Sequence, residues 1–328
     1  MKNLLLYTTT VLIWGSTWLG IKFQLGETAP VLSVAYRFTL AALLLLGFSK
    51  WRGLKLRFSL RQHLFMALQG LLLFSINYLL VYLAEMHLTS GLVAIVFSTL
   101  VFMNIFIGAL LLGTPVRLNV VLGGLVGLVG VALVFLPELR AFSLQDRGFL
   151  GLTLSFASTL FASLGNITAA RNQREGLPVV QTNAFGMGYG AIAMYAYALL
   201  GGVPFSLSVT PAYLGSLVYL AVFGSIIAFG AYLTLLGRIG ADRAAYASLL
   251  FPLVALGFST YFEGYSWSSS AHLGVLLVVA GNFLILSWKW LKVPRRNSNL
   301  LLDNRLTTKM KSSGNRATEH QAIPGSPK

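Results

Sequence analysis

The stretch GGLVGLVGVALVF, residues 123–135, has no charged side chain, and its glycines are spaced as in helices that pack closely together. A similar stretch, GVLLVVAGNFLIL, occupies residues 274–286. The first stretch places Gly123 and Gly130 seven residues apart, and the second repeats that spacing at an offset of 151 residues. Continuous apolar runs of this kind are typical of membrane helices. Their recurrence indicates that the chain contains an internal repeat.

The rest of the chain is also strongly apolar. Of its 328 residues, 56% are hydrophobic and 10% are charged, whereas a soluble domain has about 25% charged residues. A helix needs about 20 apolar residues to cross a bilayer. We therefore predict an all-α integral membrane protein with ten transmembrane helices, near residues 4–25, 31–49, 63–84, 88–112, 117–137, 148–168, 179–201, 212–236, 242–262 and 271–290.

Lysine and arginine are distributed unevenly between the two predicted sides of the membrane. With the N-terminus in the cytoplasm, 20 of the 24 positive residues fall in cytoplasmic segments, as the positive-inside rule requires. We therefore predict that both termini are cytoplasmic. The net charge of +15 then reflects topology and contact with the lipid bilayer, and not nucleic-acid binding. Residues 291–328 are predicted to form a basic, disordered cytoplasmic tail.

The ten predicted spans divide into two groups of five. Residues 1–137 form the first predicted repeat, residues 148–290 form the second, and residues 138–147 form an outer linker. Pro30 and Pro178 occupy corresponding positions, 148 residues apart. Because five is an odd number, the second repeat enters the membrane inverted relative to the first. Two inverted repeats are typical of secondary transporters that work by alternating access.

Three segments resemble EamA-type members of the drug/metabolite transporter superfamily. They are WGSTWLGIK at residues 14–22, AYRFTLAALLLL at residues 35–46, and GRIGADRAAYASLLFPLVALGFSTYFEGYSW at residues 237–267. The resemblance covers about residues 1–290. It implies a ten-helix carrier of the bacterial inner membrane, usually an exporter of amino acids, related metabolites or toxic compounds.

The sequence departs from the family pattern at two places. The family often ends its fourth span with a Gly-Glu pair, whereas here Thr114 follows Gly113; the second half keeps the acid as Glu263. The family's proline within the ninth helix is Pro252, and the fourth helix has no proline near Asn104. We therefore expect the two repeats to differ in their chemistry.

The first helix carries two aromatic rings and a charge on one face. Trp14, Trp18 and Lys22 are spaced four residues apart, which places them within an arc of about 80°. The tryptophans are candidates to line the substrate pathway. Two interpretations of Lys22 stay open. Its flexible side chain extends to the headgroups, or it faces the outer cavity, where it would attract a carboxylate.

Arg37 lies about 9 Å inside the second predicted span, where a charge that faces lipid costs at least a few kcal/mol. It should therefore face protein or water. Either it pairs with Glu85 or Glu27, which are predicted at reachable depths, and holds helices together, or it contacts the substrate directly.

Polar and helix-breaking residues within the other apolar runs are further candidates. Asn77, Tyr78 and Asn104 either form hydrogen bonds between helices or line the pathway. Pro252 leaves the carbonyl group of Ser248 without its helical donor, which produces a kink or a carbonyl group that lines a cavity.

Two acidic residues near the predicted outer surface, Glu85 and Glu263, are candidates for ion pairing or for coupling transport to protons. The sequence has no cysteine, and it has no motif typical of nucleotide binding, of metal-dependent catalysis or of a nucleophilic enzyme. We therefore expect no cofactor, no bound metal and no enzymatic activity.

The sequence favours a secondary transporter that exports small metabolites, such as amino acids or aromatic and amphipathic compounds. An importer or a lipid-linked-sugar flippase of the same fold is an alternative, as is a membrane sensor or scaffold that transports nothing. The expected partners are a small-molecule substrate and the lipid bilayer. The sequence does not distinguish a monomer from a dimer.

Overall fold

The computed structural model describes residues 1–26, 28–143, 147–262 and 267–285, and within these ranges it contains helices and loops but no β-strand. This confirms the all-α class. Glu263, Glu27 and the predicted tail, residues 291–328, lie outside the described residues.

The first part of the chain folds into helices whose ends follow local sequence signals. Pro30 occupies the first turn of its helix, where no backbone donor is needed. Ser59 and Gln62 form a reciprocal capping box at the start of the third helix. The helices are α1 (Lys2–Lys22), α2 (Pro30–Trp51), α3 (Leu60–Glu85), α4 (Ser90–Ser98), α5 (Leu100–Leu112), α6 (Leu118–Val134) and α7 (Leu136–Ala141).

The second part continues in the same way. Its helices are α8 (Arg147–Arg174), α9 (Val179–Leu200), α10 (Pro211–Ile239), α11 (Ala241–Ala244), α12 (Ala247–Phe262) and α13 (Ser269–Ile285).

Within the described part of the chain, seven helices are long and apolar enough to cross a membrane, against the ten that the sequence predicts. The apolar helices α6 and α13 have 17 residues each within these ranges. The 22-residue helix α9 is not among the seven. Its first turns carry Gln181, Thr182 and Asn183, which are buried against other helices. These polar side chains lower its mean hydropathy although they do not face lipid.

Helices α6 and α13 pack against each other along their glycines. A methyl group on Gly130 would lie 2.6 Å from the carbonyl oxygen of Gly274, and one on Gly274 would lie 2.5 Å from that of Gly130. Gly123 and Gly281 meet in the same reciprocal way, at 2.8 and 2.6 Å. The backbones therefore touch directly, as small residues allow in membrane helices.

Helix α9 packs against α2 and against α3. The contact with α3 is close because a methyl group on Gly190 would lie 2.9 Å from the carbonyl oxygen of Gly70. A buried amide pair adds to it, since Gln69 Nε2 donates to Asn183 Oδ1 at 3.3 Å. Asn172 of α8 also donates to Gln69, through Nδ2 to Oε1 at 3.0 Å, so Gln69 connects α3 to both α8 and α9.

Two helices contain π-helical segments at nearly corresponding positions of the two predicted repeats. The segment in α3 is Gly70–Ile76 and the segment in α10 is Leu220–Ile227. A π-turn changes the backbone hydrogen-bond pattern and is frequent at functional sites. The fourth helical stretch of each predicted repeat is also interrupted, at Thr99 between α4 and α5 and at Ala245 and Tyr246 between α11 and α12. These irregular places surround the cavity described next.

Candidate functional site

A cavity lies where α1, α3, α4, α5, α8, α10 and α12 come together. Its volume of about 70 Å³ exceeds the roughly 10–15 Å³ that one water molecule needs, so it has room for a small group. Most of its wall is apolar. The aromatic residues of the wall are Trp14, Tyr78, Phe97, Phe229, Tyr232 and Phe251, and the amides are Asn77 and Asn166.

Trp14 is a fixed part of this wall. Its indole N–H donates to the carbonyl oxygen of Gly224 at 2.9 Å, within the π-helical segment of α10. Its ring lies 4.6 Å from Phe229, 4.9 Å from Tyr232 and 5.3 Å from Phe251, measured between ring centroids. Contacts of this kind contribute about 0.5–1.5 kcal/mol per pair beyond burial. Trp14 therefore presents one defined aromatic surface. Trp18 lies in α1, but its side chain lies outside the described part of the structure.

Arg37 is completely buried beside the cavity. Its Nε–H donates to Ser225 Oγ at 2.9 Å, and Ser225 Oγ donates to the carbonyl oxygen of Leu220 at 3.0 Å. Its guanidinium carbon lies 4.5 Å from the ring centroid of Tyr78 and 5.2 Å from that of Phe38. Ser225 belongs to the π-helical segment of α10. This segment therefore holds both Trp14 and Arg37.

The structure does not join Arg37 to Glu85, one of the two acids considered as its partner. Lys22 is the positive residue whose charge acts on the Glu85 carboxyl group. Lys22 is the last residue of α1 and is exposed. Nearby, Tyr82 Oη donates to Gln24 Oε1 at 2.7 Å. Lys22 and Glu85 therefore act on each other, and Arg37 makes its hydrogen bond to Ser225 instead of pairing with Glu85.

The structure places the two candidate asparagines differently. Asn77 lines the central cavity and accepts a hydrogen bond from Ser158 Oγ at 3.0 Å. Asn104 lines a separate polar cavity of about 300 Å³. It accepts from Ser163 Oγ at 2.7 Å and donates to the carbonyl oxygen of Ala241 at 3.1 Å. Asn104 therefore joins helices at the second cavity, and Asn77 does so at the first.

Pro252 is buried within α12, and the helix continues through it. Ser248, whose carbonyl group Pro252 leaves without its helical donor, lines the central cavity. The interruption of the helix comes earlier, at Ala245 and Tyr246. Pro252 therefore affects the carbonyl group of a residue that lines the cavity, and it does not cause the interruption of the helix, which lies six to seven residues earlier in the chain.

The end of the molecule near the N-terminus is held by polar contacts. Arg117 Nη1 lies 3.2 Å from Asp242 Oδ2 and joins the loop before α6 to α11. Arg238 Nη1 donates to Asn3 Oδ1 at 3.3 Å. Tyr246 Oη donates to the carbonyl oxygen of Val120. Since Arg117 and Val120 belong to the first predicted repeat, these contacts tie both predicted repeats together at this end.

Sequence reasoning did not identify several residues of the site, and three of them make its hydrogen bonds. Gly224 and Ser225 accept the hydrogen bonds of Trp14 and Arg37, and Asn166 Nδ2 donates to Tyr232 Oη at 3.0 Å on the cavity wall. Asn166 could have been found, because it is an amide in the apolar run of α8. A glycine and a serine in α10 give no comparable signal.

The chain matches the EamA-like transporter family over residues 1–136 and 149–287. The chain belongs to the EamA-like transporter family. It is therefore a membrane transporter, as the sequence resemblance implied.

Relatives of this EamA-like transporter cover most of its length. Protein PagO of Salmonella typhimurium is 24% identical over 292 residues, which are 89% of this chain and 95% of PagO. YedA of Escherichia coli K12, named an uncharacterized inner membrane transporter, is 29% identical over 284 residues, 85% of this chain and 89% of YedA. A probable amino-acid metabolite efflux pump of Escherichia coli K12 is 24% identical over 319 residues, 90% of this chain and 99% of the pump.

A solved crystal structure shares the fold of this EamA-like transporter. It superposes with a TM-score of 0.72 at 18% identity and covers 86% of this chain and 95% of its own. Together with the apolar helices and the inner membrane relatives, the family membership establishes a multi-pass inner membrane protein.

Proposed function

We propose that this protein is a secondary transporter that exports small metabolites, such as amino acids or aromatic and amphipathic compounds, by alternating access. The observation that carries the proposal is the cavity, whose wall combines aromatic rings with two amides and draws on helices of both predicted repeats. An apolar wall with a few polar groups is typical of sites for small molecules. The chain acts by binding and moving its substrate, without a covalent step.

The arrangement of ten spans as two inverted repeats belongs to this proposal. The family matches at residues 1–136 and 149–287 support repeat boundaries at 1–137 and 148–290. The π-helical segments in α3 and α10 and the interrupted helices on both sides of the cavity support it further. In transporters with inverted repeats, one repeat moves against the other around a fixed site.

The direction of transport is proposed to be outward. The Escherichia coli relative named a probable amino-acid metabolite efflux pump supports export, and the predicted topology places both termini in the cytoplasm. The polar contacts of Arg117 and Asn3 then lie at the cytoplasmic end. They would hold that end closed in this conformation.

The test is untargeted profiling of the medium from cells that produce equal amounts of wild type and two variants. Trp14→Ala removes a ring from the cavity wall, whereas Trp51→Ala removes a ring that is 78% exposed at the end of α2. We expect at least one metabolite to accumulate outside cells with the wild type and with Trp51→Ala. With Trp14→Ala its accumulation should fall about tenfold, the effect of losing about 1.4 kcal/mol of binding free energy.

Purified protein in liposomes provides the decisive measurement. Counterflow of the identified metabolite should require the protein and should fall with Trp14→Ala in the same proportion. A medium unchanged by the wild type, or a liposome flux equal with and without protein, would contradict the proposal.

A further inference from the structure

Arg37 has hydrogen-bonding capacity that the protein leaves unused. A guanidinium group carries five N–H donors. One of them, on Nε, reaches Ser225 Oγ. Nη1 and Nη2 are both buried, and neither makes a hydrogen bond of ordinary length to a described residue. The phenol groups of Tyr78 and Tyr82 lie beside them, close enough to interact with the charge. The planar edge of the guanidinium, which is the part that binds carboxylates, therefore faces two phenol groups and has no acidic partner among the described residues.

Among the residues that the structure describes, no acidic side chain forms an ion pair with this edge. Its neighbours are the rings of Tyr78 and Phe38 and a serine hydroxyl. Two of the acids in the described ranges interact with other cations, Glu85 with Lys22 and Asp242 with Arg117. A buried charge without a compensating partner is costly, so an anion that reaches this position would gain from it.

The guanidinium lies immediately behind the cavity wall. Tyr78 contributes to that wall and also covers the guanidinium with its ring. On the other side, a methyl group on Gly224 would lie 3.0 Å from Thr17 Cγ2, a wall residue, and 3.1 Å from Arg37 Nη2. The absence of a side chain at Gly224 thus leaves Nη2 next to the cavity wall. Arg37 itself does not line the cavity, so an anion would reach the guanidinium only after Tyr78 moves aside.

We propose that Arg37 binds the carboxylate group of the transported substrate, through Nη1 and Nη2, and that this substrate is a small organic monocarboxylate with an apolar body. This inference rests on the transport function proposed above. The guanidinium fork matches the two oxygens of a carboxylate, which makes a bidentate contact favourable. Ser225 fixes the orientation of the fork through Nε.

The cavity defines the body of the substrate. A volume of about 70 Å³ has room for a body of a few non-hydrogen atoms. The rings of Trp14, Phe229 and Phe251 favour branched aliphatic or small cyclic groups. We therefore choose 3-methylbutanoate as the probe, because it combines a small branched aliphatic body with one carboxylate group.

The experiment measures binding of radiolabelled 3-methylbutanoate to the purified full chain in nanodiscs at pH 7, with competition by unlabelled analogues. The analogues are 3-methylbutanoate, 3-methylbutanamide and 3-methylbutylamine, which share one body and differ in charge. We expect the carboxylate to compete at least about tenfold better than the amide and the amine, since charge-assisted contacts are stronger than neutral ones.

Two variants and a control connect this preference to Arg37. Arg37→Gln should abolish specific binding of labelled 3-methylbutanoate, whereas Arg37→Lys, which keeps the charge but loses the fork, should retain binding with about five- to tenfold lower affinity. Arg140→Gln, an exposed arginine in α7, should match the wild type. Size-exclusion profiles establish that each variant is folded.

Absence of binding to the wild type, equal competition by the three analogues, or unchanged binding to a folded Arg37→Gln protein would overturn the inference. Flux measurements separate it from the transport proposal. Flux of neutral or cationic compounds without a preference for carboxylates would leave transport intact and refute the role of Arg37. Arg37-dependent binding of the carboxylate without flux would refute transport and leave the binding site intact.

Discussion

At the scale of single residues, the site depends on side chains that the sequence identifies and on partners that it does not. Arg37 is recognisable because a charge inside an apolar run must face protein or water. Its partner Ser225 lies 188 residues away. Ser225 lies in the π-helical segment of α10, and the hydropathy of the sequence does not indicate where such a segment occurs. The ion pair with Glu85 considered from the sequence is replaced by a hydroxyl and two aromatic rings.

Gly224 offers a direct test at this scale. In Gly224→Ala the new methyl group would lie within 3.1 Å of Thr17 and of Arg37 Nη2, so one of these must move. We expect counterflow of the exported metabolite to fall about five- to tenfold, which corresponds to overpacking by about 1–1.4 kcal/mol. Gly230→Ala is the matched control, since nothing lies within 4 Å of a methyl group at that position of α10. Equal flux in the two variants would show that the space at Gly224 has no role in transport.

At the scale of helices, the glycine spacing predicted close packing, and the structure confirms it for α6 and α13. The sequence could not identify which helix would be the partner, because glycine spacing is the same on every small-residue face. It also gave no indication of the π-helical segments, since an apolar run of α-helix and one with a π-turn have the same composition. These features were therefore found only in the structure.

The contact between α6 and α13 leaves no space for a methyl group. We expect Gly130→Ala to lower the free energy of unfolding by about 1–3 kcal/mol, because the backbones would have to separate. The measurement is the midpoint of thermal unfolding in detergent. Gly47→Ala in α2 places its methyl group in open space and should leave the midpoint unchanged. A similar midpoint for both variants would show that the two helices separate at no cost.

The ion pair between α11 and the loop before α6 is a testable contact between helices. Its side chains are 35% and 13% exposed, so we expect it to contribute at most about 1 kcal/mol. Asp242→Asn should then increase opening at this end by about two- to fivefold. The reporter is Ser248→Cys on the cavity wall, a unique thiol because the chain has no cysteine, labelled with a maleimide in inside-out vesicles.

A charge exchange serves as the control for this prediction. The double variant Arg117→Asp with Asp242→Arg restores the pair in reverse and should return the labelling rate toward that of the parent. If Asp242→Asn labels at the parental rate, the pair does not hold this end closed.

At the scale of the whole molecule, composition predicted the membrane class and the helical fold correctly. The structure supports seven spans by length and hydropathy, and ten spans stay a prediction. The difference has a physical cause in α9, whose buried polar residues lower its mean hydropathy. The predicted tail and Glu263 lie outside the described residues, so their roles stay predictions as well.

The predicted topology is tested by two single-cysteine variants. Ser206→Cys lies in the exposed connection between α9 and α10, and Glu175→Cys lies in the exposed connection between α8 and α9. With both termini in the cytoplasm, a membrane-impermeant maleimide added to intact cells should label Ser206→Cys and should spare Glu175→Cys until the cells are broken. The reverse pattern would place the N-terminus outside.

The π-helical segment of α10 also has a mechanical consequence. If this segment is the most compliant part of α10, its final portion, the 12 residues Ala228–Ile239, would act as a lever about 18 Å long. A bend of about 10° at its base would carry the tip through about 3 Å. Asp242 lies just beyond that tip, at 3.2 Å from Arg117. A small angular change beside the cavity would therefore be amplified into separation of the ion pair.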